Sequence, residues 1–343
     1  MSDVRASGGE GDGAAQLLLS ARARLTAAAA DLVLPPTLRL SERQRTTVLA
    51  LLEGLIHSVE EALRAELAPV SPGEALQAAL SSAHVEIAVP VLSGNASLAE
   101  PALIDLLLRR AEEHRLHRAA GAENALLVEL AGDPHAAVAS EAMALLIAQN
   151  GRLDSFGEPI LPRSDLPAEL EHHLVWTVAA SLRHYMIERH GADPAVCDTA
   201  VAAAACRILA CHDEGETADA RAMRLALALR EAGRIEQPGL LARALSQGSF
   251  PLFLAILGLR TGLGAAAAWE LLLSSSGPAL LLGAAGLPRD EAAAILLAWG
   301  LPEPALAAAL ERLDGMPADT ARTLLTLWLA DPGYRAAVAR LAQ

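Results

Sequence analysis

The chain has 343 residues, 53% of them hydrophobic but only 3% aromatic, and it carries 27 Lys+Arg against 41 Asp+Glu for a net charge of −14. That charge argues against a nucleic-acid backbone or an anionic membrane surface as the main partner. The apolar residues are chiefly Ala, Leu and Val, a composition that favours helix over strand and predicts an all-α fold.

Residues 1–38 read as a mildly acidic, disordered tail, a short helix around Gln16–Leu32 and a break at Pro35-Pro36. Residues 39–150 are expected to form a HEAT-like helical repeat domain. It opens with an amphipathic helix over 39–68, with Leu49, Leu52, Ile56, Val59 and Leu63 on one face. Helix starts are marked by Ser41-Glu42-Arg43-Gln44 and Ser71-Pro72-Gly73-Glu74, both capping boxes, and by Asp133-Pro134, Asp193-Pro194 and Asp331-Pro332. Within 84–167 a phrase recurs: Asn95-Ala96-Ser97-Leu98, Asn124-Ala125-Leu126 and Asn150-Gly151-Arg152-Leu153. Its Asn positions lie 29 and 26 residues apart, the range of short two-helix repeats that bury their apolar faces by stacking. Residues 151–167 concentrate Gly, Pro, Ser and Asp and read as a linker. Residues 168–343 follow as a second all-helical domain, in which Trp176, Trp269, Trp299 and Trp328 are expected in the core.

No run reaches the roughly 18 uninterrupted apolar residues of a membrane span. The nearest, Phe250–Leu273, is broken by Arg260 and Glu270. The first residues lack the basic-then-apolar order of a secretion signal, and three Cys do not suggest a disulfide framework. A cytoplasmic location is therefore expected.

A resemblance joins several of these features. Val91-Leu92-Ser93 with Leu98, Arg163-x-Asp165-Leu166-Pro167, Gly233-Arg234-Ile235, Gln247-Gly248-Ser249-Phe250 and Ala284-Ala285-Gly286-Leu287-Pro288 occur in that order. Together they make residues 75–300 resemble the bacterial family called domain of unknown function 2336. The resemblance implies HEAT-like helical architecture and no particular activity.

Candidate chemistry is sparse. Arg110, His114, His117 and Arg118 follow i, i+4, i+7, i+8 spacing, so one helix face could dock an acidic or phosphorylated protein partner. Arg163, Asp165 and Pro167 read as an interdomain hinge: Asp165 caps the helix starting at Leu166-Pro167, and Arg163 bridges to that turn or to Asp133. The helix carrying His172, His173, His184 and His190 resembles a phosphotransfer hairpin only in outline, since no acid follows the candidate acceptors. Cys197, Cys206, Cys211 and His212 lack the paired spacing of a zinc site. No phosphate loop, nucleophile elbow or dinucleotide fingerprint is present, so no catalytic residue, metal or cofactor is assigned. The expected function is a non-enzymatic protein-interaction or scaffolding module. A phosphorelay component is the alternative, and an enzyme with a cleft site around Arg163 and His173 is the second.

Overall fold

The computed structural model describes residues 40–341 apart from 72, 83, 93–99, 122–123 and 275–276. The expected tail, the Gln16–Leu32 helix, the Pro35-Pro36 break and the Asn95 phrase lie outside the described residues. Residues Thr47–Gln343 form one compact unit. The described residues before it hold the first helix start. There Gln44 N–H donates to Ser41 Oγ at 3.2 Å and Ser41 N–H donates to Gln44 Oε1 at 3.0 Å, the reciprocal bonds of a capping box.

The described residues are all helical and contain no strand, only an isolated bridge between Leu153 and Pro159. The helices are α1 (Glu42–Leu67), α2 (Glu74–Ser81), α3 (Ala88–Leu92), α4 (Pro101–Ala119), α5 (Ala125–Ala131), α6 (Ala136–Asn150), α7 (Ala168–His190), α8 (Pro194–Leu209) and α9 (Ala218–Glu231). They continue as α10 (Leu240–Ser246), α11 (Phe250–Thr261), α12 (Ala265–Leu273), α13 (Gly277–Ala284), α14 (Arg289–Trp299), α15 (Glu303–Asp314), α16 (Ala318–Leu324) and α17 (Pro332–Leu341).

Local sequence explains many of the ends. Asp193 Oδ1 accepts from Ala195 N–H and Val196 N–H, both at 3.0 Å, and so caps α8. Ser71 does not cap α2; its hydroxyl donates back to the Leu67 carbonyl at 2.8 Å. Three of the shared motifs are helix stops of one type. Gly233, Gly248 and Gly286 have φ of +69°, +82° and +69°. In each case the next residue donates to the carbonyl five positions back: Arg234 to Leu229, Ser249 to Ala244 and Leu287 to Leu282. This is the Schellman arrangement, which glycine adopts without steric cost. Apolar residues just after the stops, Ile235, Phe250 and Leu287, are buried.

Two hydrophobic clusters result, and neither is confined to one side of residues 151–167. The first joins Leu51, Leu55, Val59 and Leu63 of α1 and Leu103 and Leu107 of α4 to Leu174, Val178 and Leu182 of α7 and Val201 of α8. On α1 the buried stripe is Val48, Leu51, Leu55, Val59 and Leu63, while the expected Leu49 is exposed. The second joins Leu116 of α4, Leu127 and Leu130 of α5 and Leu145 of α6 to residues from α9 through α16. Phe250 is at its centre, with ring centroids 6.0 Å from Trp269 and 5.9 Å from Trp299. Trp269 belongs to this cluster and the half-buried Trp299 and Trp328 pack against it, whereas Trp176 packs on the first.

Helix α6 packs on α9, which lies beyond the intervening α7 and α8. Stacking of consecutive repeats alone would not produce that contact. The expected linker therefore lies within one compact unit, and α4 contributes to both clusters. No single helix among the described residues is long and apolar enough to cross a membrane. Phe250–Leu273 divides into α11 and α12, bent by 100°.

Candidate functional site

Helix α4 supplies Leu103, Leu107 and Ala111 to the first cluster and Leu116 to the second. Between them it places Arg109, Arg110, Glu113 and His114, all buried. Charged side chains are seldom buried unless paired, and these are paired extensively. Glu113 accepts from Arg152 Nη1 at 2.8 Å and Arg110 Nη1 at 3.4 Å, and it forms an ion pair with Arg109, whose Nε lies 3.3 Å away without a hydrogen bond. Arg109 Nη2 reaches Asp219 Oδ1 at 2.7 Å, and Arg152 Nε reaches Asp165 Oδ2 at 2.5 Å. The other Asp165 oxygen accepts Ala218 N–H at 2.8 Å, at the first turn of α9.

These contacts set the charge states. Burial alone would lower the Arg152 guanidinium, but Glu113, Asp165 and Asp219 outweigh it and hold it above its ordinary value. Burial and the neighbouring Arg152 push Arg110 down to about 10, against the pull of Glu113 and Asp165. Burial likewise lowers the imidazoles of His114 and His117, so both are neutral near pH 7.

The cations of α4 hold residues 151–167 in place. Arg110 Nε donates to the Ile160 carbonyl at 3.1 Å, and its Nη2 donates to the Arg152 carbonyl. His114 Nε2 lies 3.1 Å from the Gly157 carbonyl, which requires the proton on that nitrogen. Asp154 Oδ1 accepts from Phe156 N–H and Glu158 N–H, both at 2.8 Å, and so closes the turn.

This corrects two expectations. Arg110 and His114 do not form an exposed docking face with His117 and Arg118. They are buried against the chain's own loop, His117 is half-buried, and only Arg118 is exposed, beside Glu158 at 3.4 Å. Helical spacing does put the four on one face, but that face turns inward because residues 151–167 cover it. Of the residues expected as a hinge, Asp165 does not cap α7. Asp165 caps α9, and it is Glu214 that accepts Ala168 N–H at the start of α7. Arg163 does bridge to the first turn of α7: its Nη1 bonds Glu171 Oε1 at 2.6 Å and also the Ile208 carbonyl at 3.2 Å, while the alternative partner Asp133 pairs with Arg234. Pro167 immediately precedes α7.

His212 Nδ1 approaches Glu171 Oε2 at 3.0 Å. Burial raises the Glu171 carboxyl against the opposing pull of Arg163 and His212. Cys197 is buried, whereas Cys206 and Cys211 are exposed. Among the described residues, no three His, Cys, Asp or Glu side chains gather as a metal-binding group.

Two spaces adjoin this framework. A cavity of about 20 Å³ lies beside the ionic cluster, lined by Arg110, Glu113, His117, Gln149, Arg152 and Gly248. An open groove of about 610 Å³ runs along α3 and α7, lined by Val91, Leu92, His172, His173, Trp176, Thr177, Ala180 and His184. Spacing of three and four residues puts His173, Thr177, Ala180 and His184 on one face of α7. Within the groove, Trp176 Nε1 donates to His172 Nε2 at 3.1 Å. His173 Nδ1 lies 4.0 Å from Glu100 Oε2, a carboxylate atom that is buried and has no hydrogen-bond partner.

The described residues therefore form an all-helical unit cored on two clusters that are joined by buried ion pairs. The chain belongs to the family described as an uncharacterised protein conserved in bacteria, domain of unknown function 2336, which matches residues 87–326. No curated protein and no solved structure matches the chain.

Proposed function

We propose that the chain is a non-enzymatic, cytoplasmic protein-interaction module that recognises a protein segment in the α3–α7 groove. The observation behind this reading is the contrast between the two spaces. The cavity has about 20 Å³, room for one water and not for a substrate. The groove is about 610 Å³ and open along its length, whereas small-molecule sites bury most of the ligand's surface. Of the residues of the expected alternative cleft, Arg163 is committed to Glu171, while His173 lines the open groove. Helix pairs α5–α6 and α7–α8 support a repeat-like scaffold carrying this groove.

Affinity capture followed by mass spectrometry tests the reading when wild type is compared with Ala180→Arg and Arg118→Glu. Ala180 is exposed on a helix, so Arg fills the groove without disturbing the core. A partner retained by wild type and Arg118→Glu but lost with Ala180→Arg supports the groove. Equal retention by all three sinks it.

A phosphorelay role is the second reading, favoured by Glu100 beside His173. Glu100 stands on the Nδ1 side of the ring, 4.0 Å away, which leaves Nε2 as the proposed nucleophile. Nε2 would attack an aspartyl phosphate: the N–P bond forms, the acyl P–O bond breaks, and the carboxylate departs. Incubation with a phosphorylated receiver domain should then give an acid-labile phosphoprotein from wild type and not from His173→Gln. No label on wild type excludes this reading.

A further inference from the structure

The cavity beside the ionic cluster is not apolar. Gln149, at the end of α6, is nine-tenths buried. Its Nε2 donates to Ser249 Oγ at 3.1 Å, and Ser249 is fully buried. That bond leaves Gln149 Oε1 buried with no partner, and His117 Nε2 is in the same condition. Both side chains line the cavity. An unmet buried acceptor is costly, so two such atoms on side chains that line one small space indicate something that completes them.

We propose that this cavity is a hydration site for a single ordered water that bridges His117 Nε2 and Gln149 Oε1. Size and charge select the ligand. A volume of about 20 Å³ matches one water, which needs roughly 10–15 Å³ and two to four polar partners. It excludes phosphate and any carboxylate metabolite. A monatomic anion has no surplus cation to neutralise, because Arg109, Arg110 and Arg152 are balanced by Glu113, Asp165 and Asp219. The water donates to Gln149 Oε1 and uses its second donor or a lone pair on His117, according to which imidazole nitrogen holds the proton. Through it α4 is tied to α6 and to the Gly248 turn ahead of Phe250, so the ionic cluster is linked to the second hydrophobic cluster.

The test is a crystal structure of wild type and of Gln149→Met, together with a bromide-soaked wild-type crystal. Wild type should show one water within hydrogen-bond distance of both atoms, absent in Gln149→Met, and no anomalous bromide peak in the cavity. An empty cavity in a map that resolves other buried waters overturns the proposal, as does a bromide peak at the site. If Gln149→Met does not fold, water-oxygen magnetic relaxation dispersion on wild type decides the matter. A long-lived internal water exchanging with the cavity is expected, and its absence overturns the proposal equally.

Discussion

Arg110 Nε donates to the Ile160 carbonyl at 3.1 Å, which turns the most basic stretch of an acidic chain into a clamp on its own loop. The same loop returns Arg152 to Glu113 at 2.8 Å. Residues that read in the sequence as a docking face and a linker therefore meet in a joint where Arg110, Glu113 and Arg152 are buried.

Arg110→Glu should unfold or severely destabilise the chain. It places a carboxylate beside Glu113 and takes the Arg110 donor from the Ile160 carbonyl, and breaking a buried ionic arrangement costs about 3–5 kcal/mol. Arg118→Glu, at an exposed position, should change stability by less than about 0.5 kcal/mol. Urea denaturation of the two variants checks this; comparable stabilities would show that α4 does not present Arg110 to the interior.

Arg152→Leu should also cost about 3–5 kcal/mol, because it strips Glu113 and Asp165 of a shared cation within the core. Adding Glu113→Leu should recover part of the loss, since removing both partners is cheaper than stranding one. A double-mutant cycle measures this, and strict additivity would mean the pair is uncoupled.

How much of this is legible in the sequence follows from the range of the interactions. Helix content and many boundaries rest on local rules, as at Asp193, Gly233 and Gly248. The family resemblance rests on such local stops too, so three of its motifs turn out to be helix caps. Burial of Arg110 and His114 depends on a loop 40 or more positions away, and the pairing of Arg109 depends on Asp219 beyond it. Helical periodicity gives a shared face but not what covers it. Arg152 reads as part of a turn phrase, and nothing local distinguishes it from an exposed arginine.

The helix starts separate in the same way. Asp193→Ala should destabilise by about 1 kcal/mol, because Asp193 caps two amide groups of α8. Ser71→Ala should cost less, since its hydroxyl bonds a carbonyl of the preceding helix and caps nothing. Thermal melting distinguishes them, and a larger effect at Ser71 would contradict the assignment.

Stability should fall on acidification. Burial lowers the His114 and His117 imidazoles, so the unfolded chain binds more protons than the folded one below its own value of about 6.5. Their contribution is complete above about pH 6.5 and is lost as the pH falls from there towards the depressed folded value, by at most about 1.4 kcal/mol per pH unit for each group. Burial raises Glu171, which acts with the opposite sign, so the informative comparison is with His114→Gln. That variant keeps a donor for Gly157 and should show a shallower loss of urea midpoint between about pH 7 and pH 5. Identical slopes would mean that His114 does not titrate out of the fold.

If recognition occurs along α3 and α7 while α4 is a structural joint, a bound partner should shield the first and leave the second unchanged. Hydrogen-exchange mass spectrometry of the chain alone, and with the partner recovered by capture, separates the two regions. Added protection is expected in peptides spanning His172–His184, with no change in those spanning Arg109–Arg118. Protection that appears at Arg109–Arg118 and leaves His172–His184 unaltered would place recognition on α4 and refute the groove.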